Sequence, residues 1–162
     1  MEFIKFIKKV IRIFSIVTII ILINYKKVSD ISHNYIVEKY IEKDFVDYIE
    51  INDYKLIIKS GDEKEVLDSN YVFYMNNSSE DNIFLAGHNN HIVFNRIYNL
   101  EIKDTIKLNY NNKLYTYEVY NTKYISVKSV DIFKKENFSR LTLITCTKNN
   151  QKRYIVECKI KE

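Results

Sequence analysis

The stretch LTLITC, residues 141–146, is the part of the sequence from which the fold and its chemistry are best inferred. Apolar residues are interleaved with threonines there, a pattern that is typical of a β-strand. The strand ends on Cys146, and the polar run TKNN, residues 147–150, follows it as a loop. Because the reactive form of cysteine is an approachable thiolate, a strand end beside a loop suits a cysteine nucleophile.

The next apolar run, residues 153–160, predicts a strand that forms a hairpin with the first. In that hairpin Cys158 lies opposite Leu141, which is five residues before Cys146 in the sequence. Five residues correspond to roughly 17 Å along a strand, whereas a disulfide requires Cα atoms within about 7 Å of each other. We therefore predict that Cys146 and Cys158 are both free thiols.

Short β-patterned runs also fill the chain upstream of this hairpin. Asn111 and Asn112 separate two of them and predict a tight turn, because asparagine tolerates the positive φ of hairpin loops. Residues 92–100 carry apolar side chains at helical offsets, and residues 130–137 predict a short helix or loop. The segment GDEK, residues 61–64, predicts a turn. The many short strands with turn signals predict an all-β barrel or sandwich. The predicted strands cover residues 48–51, 54–58, 71–74, 83–86, 105–110, 113–119, 124–127, 141–146 and 153–160.

The N-terminal region has a different character. Residues 10–25 are apolar apart from one arginine and three small polar residues, and lysines flank them on both sides. The run is shorter than the roughly 20 residues that span a bilayer, although flanking cations extend its reach. The excess of positive charge before it predicts an uncleaved signal anchor with a cytoplasmic N-terminus and an extracellular domain. A buried helix of a soluble domain is the alternative.

Residues 29–47 repeat apolar side chains at helical spacing with charged residues between them, which predicts an amphipathic helix. The predicted organisation is therefore a cytoplasmic tip and transmembrane helix in residues 1–27, a juxtamembrane linker in residues 28–47, and one β-barrel domain in residues 48–162. The 162-residue chain is long enough for one such domain with a real core, but not for two.

The charge distribution argues against a nucleic-acid-binding domain. The whole chain carries a formal net charge of +4, but residues 1–27 hold six lysines and arginines against one glutamate. The remaining residues therefore carry a slight negative charge, and the basic excess belongs to the predicted anchor. The three histidines and two cysteines lie at no spacing typical of metal ligands, so we predict no metal and no cofactor.

Three motifs resemble those of the sortases. The pentapeptide TLITC, residues 142–146, with Arg153 opening the next strand, resembles the sortase signature TLxTC and its downstream arginine. LAGH, residues 85–88, is similar to the sortase histidine motif. FNRIYNL and KDTI, residues 94–100 and 103–106, are similar to the segment FxxLxxLxxGDxI that follows it, except that Lys103 replaces the glycine. The resemblance covers about residues 48–161 and favours a class D or related clostridial type.

The resemblance implies an eight-stranded β-barrel that cleaves an LPxTG-like sorting signal. Cys146 would attack the backbone carbonyl of the threonine. The peptide bond after the threonine would break, and a thioacyl enzyme would remain. His88 would protonate the leaving amine and deprotonate the incoming one, and Arg153 would stabilise the oxyanion or position the peptide. Thr145 would help to hold the peptide or line the oxyanion site. Surface proteins would be the substrates, and a peptidoglycan precursor or a pilin lysine would supply the amine.

The chemistry of these side chains agrees with those roles. Amide cleavage needs a nucleophile, a proton donor and a stabilised oxyanion; cysteine is strongly nucleophilic, histidine titrates near neutral pH, and arginine remains charged. Two other functions remain open, namely a sorting-signal hydrolase and a membrane-tethered barrel that binds a ligand without chemistry. In the second case Cys146 is a small buried hydrophobe, His88 a turn residue and Arg153 a solvated cation.

Overall fold

The computed structural model describes residues 2–44, 46–134 and 136–161. The N-terminal region forms one α-helix, α1 (Glu2–Asp44), where the sequence predicts an anchor helix and a separate linker helix. All twelve apolar side chains between residues 10 and 25 are exposed on its surface. Across the described ranges, no helix has both the length and the apolar character needed to cross a membrane. The chain divides into two units, Met1–Lys39 and Tyr40–Glu162, and the second contains every strand.

Eight strands form a closed barrel in the order β1-β2-β3-β4-β7-β8-β6-β5. Strands β2 and β3 are parallel, as are β4 and β7, and the other neighbours are antiparallel. The prediction of an eight-stranded, all-β barrel with short helices is confirmed. The strands are β1 (Tyr48–Ile51), β2 (Tyr54–Lys59), β3 (Val72–Tyr74), β4 (Asn82–Gly87), β5 (Thr105–Tyr110), β6 (Lys113–Ser126), β7 (Arg140–Cys146) and β8 (Lys152–Ile160). The short helices are α2 (Glu63–Asp68) and two 3₁₀ helices, Phe94–Asn99 and Asp131–Phe133.

The strand directions define two poles of the barrel. Strand β1 runs parallel to β4, because β1 is antiparallel to β2, β2 is parallel to β3, and β3 is antiparallel to β4. Strand β7 runs the same way as β4. The carboxyl ends of β4 and β7 therefore lie at one pole, here called the upper pole. The chain enters β1 at Tyr48, which lies at the opposite, lower pole.

Apolar side chains are buried on both faces of the β4–β7–β8 region. The main core fills the barrel interior and includes Leu85, Leu141, Leu143 and Val156. A smaller cluster covers the outer face, where the β6–β7 connection lies against the sheet; its buried members are Phe84, Ile132, Ile144 and Ile155. Residues 140–145 of β7 are all buried, as expected for a central strand that is covered on both faces and has a parallel neighbour.

Asparagine and aspartate take the place of glycine at the two tight hairpin turns. Two-residue loops connect β1 to β2 and β5 to β6, and both residues of each loop have positive φ, between 50° and 61°. This conformation belongs to the type I′ hairpin turn, whose twist matches that of the flanking strands. The predicted turn at Asn111 and Asn112 is confirmed. Lys103 also has a positive φ of 81°, at the position where the sortase motif has glycine.

The hairpin of β7 and β8 has the register that the sequence predicts. Leu141 is the Cα partner of Cys158, and Cys146 is the partner of Arg153. Both cysteines are free thiols, as predicted.

Two predictions of local structure are wrong. The runs at residues 113–119 and 124–127 belong to one strand, β6, whose register shifts between Val119 and Asn121. The turn predicted around Gly61 continues into the short helix α2, whose N-cap is Asp62.

Candidate active site

The register of β4, β7 and β8 brings three predicted site residues to the upper pole. The last pair of the β4–β7 ladder is Gly87 with Thr145. His88 and Cys146 each follow immediately, so they emerge side by side from two neighbouring parallel strands. Arg153 is the Cα partner of Cys146 on the other side, in β8. Directly opposed residues of an antiparallel pair project from the same face of a sheet, so Cys146 and Arg153 share the outer face.

His88 and Cys146 line one groove of about 550 Å³, which opens at the upper pole. Both side chains are half-buried, so each is packed by the protein and still reachable. Cys158 is the contrast: it is fully buried, and burial raises the pKa of its thiol, which keeps it neutral and inert. The other residues that line the groove are Asn89, Asn90, His91, Asn95, Thr147, Lys148 and Asn150.

Arg153 is half-buried and does not line this groove. Its Nη1 atom is buried and has no hydrogen-bond partner among the described residues. A buried donor without a partner costs about 1–3 kcal/mol. The guanidinium therefore has one hydrogen-bond donor that no described residue uses, on the same sheet face as the thiol.

The sequence profile of the sortase domain matches residues 48–161, about 70% of the chain. The chain belongs to the sortase family. Membership identifies this protein as an enzyme, a cysteine transpeptidase. Comparison with curated protein sequences gave no match.

Solved sortases have the same fold. A sortase D5 transpeptidase from Clostridium perfringens is 26% identical, with a TM-score of 0.64 over 72% of this chain and 79% of that chain. Sortase C-1 from Actinomyces oris is 22% identical, with a TM-score of 0.67 over 75% and 77% of the two chains. Sortase C from Clostridium perfringens, solved with the C-terminal cell wall sorting motif, is 25% identical, with a TM-score of 0.63 over 71% and 69%. The similar structures thus include clostridial sortases of classes D and C.

Glycine is required at position 87, just before His88, because a larger residue would clash with Val93 and Phe94. A Cβ atom at Gly87 would lie 2.7 Å from a ring carbon of Phe94 and 2.8 Å from a methyl group of Val93. Gly87 is the last residue of β4, and its φ is not positive. The glycine is therefore needed for space and not for a left-handed backbone. Its missing side chain lets the segment after His88 pack against the strand.

Thr145 connects the two strands that carry the thiol and the imidazole. Its side chain is only 2% exposed, and its hydroxyl donates a 2.7 Å hydrogen bond to the carbonyl of Gly87. This bond links β4 and β7 one residue before His88 and Cys146. The substrate contact predicted for Thr145 stays a prediction, since Thr145 does not line either cavity described here.

A second cavity of about 400 Å³ adjoins the groove and was not foreseen from the sequence. Tyr98 and Tyr124 line it, and it shares Asn95, Thr147 and Lys148 with the groove. Tyr98 donates a 3.0 Å hydrogen bond from its hydroxyl to the carbonyl oxygen of Cys146, across 48 residues of sequence. Burial, followed by the neighbouring Tyr124 and Cys146, raises the pKa of Tyr98, so this hydroxyl remains a donor at neutral pH.

Lys148 is the only lysine, arginine, aspartate or glutamate among the described residues that line the two cavities. No group of three or more histidine, cysteine, aspartate or glutamate side chains within the described ranges is arranged to hold a metal ion. The linings of the two cavities therefore combine one thiol, two imidazoles and one ammonium group, and the Arg153 guanidinium lies nearby.

Proposed function

We propose that this sortase cleaves an LPxTG-like sorting signal after its threonine and transfers the surface protein to an amine of a peptidoglycan precursor or a pilin. The observation that carries the proposal is that His88 and Cys146 line one groove while Arg153 lies opposite Cys146 in the ladder. The sorting motif in the similar Clostridium perfringens sortase C structure supports the choice of substrate class.

In the first step, the Cys146 thiolate attacks the carbonyl carbon of the substrate threonine, and the carbonyl oxygen becomes an oxyanion. Collapse of this intermediate breaks the carbon–nitrogen bond and leaves a thioester on Cys146. The departing amine takes a proton from His88, which acts as the general acid. The half-buried positions of both side chains in one groove support this division of roles.

Arg153 stabilises the oxyanion or holds a carbonyl of the sorting signal. Its position opposite Cys146, on the same face of the sheet, supports this role, because a charged donor held near the reacting carbonyl stabilises the developing oxyanion. A guanidinium also remains charged at any working pH and offers donors in a planar fork.

In the second step, the acceptor amine attacks the thioester carbonyl and gives a proton to His88, which now acts as the base. The carbon–sulfur bond breaks, Cys146 leaves as a thiolate, and the starting charges of both side chains are restored. Water in place of the amine gives hydrolysis from the same intermediate.

Mass spectrometry of the products of a peptide library separates these functions. The library contains Leu-Pro-x-Thr-Gly and related sequences and is incubated with the protein, with and without glycinamide or a lysine-containing pilin peptide. We expect cleavage after threonine and a new amide with the amine; a free threonine carboxylate in all samples would indicate a hydrolase. Cys146→Ala should abolish cleavage and leave the circular dichroism spectrum unchanged. Cleavage that survives this substitution would overturn the enzymatic role of Cys146.

We further propose that the apolar run of α1 anchors the protein in the cell membrane, with its N-terminus in the cytoplasm and the barrel outside, although no described helix meets the usual length and hydropathy of a membrane span. The twelve exposed apolar side chains between residues 10 and 25 support the anchor, because an apolar surface of this extent usually meets a partner or lipid. The basic residues of the N-terminus support the orientation. Carbonate extraction of membranes and protease treatment of intact cells test both points. Release of the full chain by carbonate would contradict the anchor.

A further inference from the structure

One short element contacts the backbone of both the predicted acid/base residue and the predicted nucleophile. We infer that the 3₁₀ helix Phe94–Asn99 sets the separation of His88 and Cys146, with Tyr98 as the positioning residue at its thiol end. This inference rests on the proposed function and adds a residue that the sortase motifs of this sequence leave unspecified, since Tyr98 falls at a variable position of the FxxLxxLxxGDxI segment.

The N-terminal end of the helix holds the histidine loop. The backbone N–H of Phe94 donates a 3.0 Å hydrogen bond to the carbonyl of His88. The Phe94 ring is fully buried and occupies the space that the missing side chain of Gly87 leaves. Asn90 fixes the intervening loop, because its side-chain oxygen accepts hydrogen bonds from the N–H groups of Ile92 and Val93. The position of His88 is thus defined relative to the start of this helix.

The C-terminal end of the helix holds the cysteine. Because the β4–β7 ladder ends at the pair Gly87–Thr145, Cys146 lies one residue beyond the reach of β4. Tyr98 supplies a hydrogen bond at this point: its hydroxyl donates to the Cys146 carbonyl at 3.0 Å. On the other side, the next backbone bond of the hairpin joins Thr147 to Lys152. The Tyr98 contact therefore fixes the peptide group at which the strand ends and the loop begins.

The ring of Tyr98 makes a third connection. It stacks on Tyr154 with the ring centroids 4.5 Å apart and an angle of 15° between the planes. Tyr154 is buried and directly follows Arg153 in β8. One tyrosine thus contacts both strands of the hairpin that carries the thiol and the guanidinium, while its own helix carries the bond to His88. Tyr98 is thus linked directly to Cys146, and indirectly to Arg153 through Tyr154 and to His88 through the helix, which is the geometry of a positioning residue.

The substitution Tyr98→Phe tests the inference, because it removes the hydroxyl and keeps the stacked ring. Without the bond to Cys146, the strand end can shift relative to His88, and a misplacement on the order of 1 Å costs up to about 100-fold in rate. We expect kcat for a fluorogenic peptide containing LPETG to fall roughly 10- to 100-fold, with KM changed less than about twofold. We also expect slower alkylation of Cys146 by iodoacetamide, which needs no substrate.

Tyr110→Phe is the matched control. Tyr110 also stacks on another tyrosine, Tyr74, with centroids 5.1 Å apart, but it lies in β5 at the lower pole. Its variant should keep the wild-type kcat and alkylation rate. Rates are normalised to folded protein well below the melting temperature of each variant. Equal alkylation and equal kcat in both variants would overturn the inference, whereas a wild-type protein that alkylates normally but cleaves no peptide would count against the proposed function alone.

Discussion

At the scale of one residue, we expect the Arg153 side chain to support activity and at the same time to lower the stability of the folded protein. Its buried Nη1 atom lacks a partner within the described chain, so the folded protein bears a desolvation cost at this position. Replacement of this side chain by an apolar one should therefore relieve the cost, whatever it does to activity.

The variant Arg153→Met therefore separates activity from stability. We expect peptide cleavage to fall by roughly 100-fold or more, which is typical for loss of one oxyanion donor, while the melting temperature stays equal or rises. Arg153→Lys should also lose most activity, because an ammonium group lacks the planar fork of the guanidinium. Full activity of the lysine variant would show that a positive charge alone suffices there.

Lys103 is strained, because its φ of 81° lies in the left-handed region that favours glycine. Its backbone is held there by a 2.8 Å hydrogen bond from its N–H to the carbonyl of Val119. A left-handed residue with a Cβ atom costs roughly 1–2 kcal/mol, which the greater flexibility of unfolded glycine partly offsets.

Lys103→Gly should therefore stabilise the barrel by about 0.5–1 kcal/mol in urea unfolding. Lys128→Gly serves as the control, because Lys128 is also an exposed loop lysine but has no positive φ. That variant should gain no stability. A gain of equal size at both positions would show that loss of positive charge, and not relief of strain, is responsible.

At the scale of one element, strand β7 contains two buried threonines, of which only one makes a side-chain hydrogen bond. Comparing them tests how much that bond contributes to stability. Thr142 and Thr145 are both buried in this strand, 0% and 2% exposed. The hydroxyl of Thr145 bonds to the Gly87 carbonyl of β4, whereas that of Thr142 has no partner among the described residues.

Thr145→Val removes a bond and leaves a buried carbonyl less well satisfied, so it should destabilise the barrel by about 1–2 kcal/mol. Thr142→Val replaces an unsatisfied hydroxyl with a methyl group and should be neutral or stabilising. Chemical denaturation of both variants measures the difference. Equal losses would mean that shape, rather than hydrogen bonding, dominates at these positions.

The strands could be predicted from the sequence where a simple period of two persists, as in β5, β7 and β8. The break predicted within β6 has a physical cause: the register shift after Val119 interrupts the alternation of side chains without interrupting the strand. The helix α2 was missed although a local signal exists. Asp62 accepts a hydrogen bond from the N–H of Glu65, the pattern of an N-cap followed three residues later by glutamate.

The site residues that lie in recognisable sequence motifs could be predicted from the sequence. His88, Cys146 and Arg153 come together because each lies at a strand end, and the pairing of β4, β7 and β8 follows from the fold. Tyr98 was not predictable, since its partner Cys146 is 48 residues away and no local pattern encodes the contact. The lining of the second cavity likewise depends on how the strands close into a barrel, which the sequence alone does not specify.

The whole barrel should lose stability at alkaline pH. Burial, with Glu157 as a second cause, raises the pKa of the Cys158 thiol above its ordinary value of 9.0, and burial raises the pKa of Tyr117 to about 12. Above pH 9 the unfolded chain releases the thiol proton while the folded barrel retains it. Stability is therefore fully present below pH 9 and falls above it, by up to about 1.4 kcal/mol per pH unit for one such group.

Unfolding free energies measured from pH 7 to pH 10.5 test this dependence. Cys158→Ala lowers stability at every pH because it creates a cavity in the core, but it should reduce the slope above pH 9. Cys146→Ala is the control, because it also removes a thiol but at the barrel rim and not in the core; this variant should keep the wild-type slope. The same alkaline slope in both variants would assign the effect to the buried tyrosine instead.

The chain enters the barrel at Tyr48, at the lower pole, whereas the thiol lies at the upper pole. Any attachment made through the residues just before β1 therefore leaves the whole height of the barrel between the support and the reacting sulfur. A matrix coupled directly to the residues just before Tyr48 would leave the groove, at the other pole of the barrel, open to the flowing solution. The enzyme could then be used as a reusable peptide ligase without re-engineering its surface.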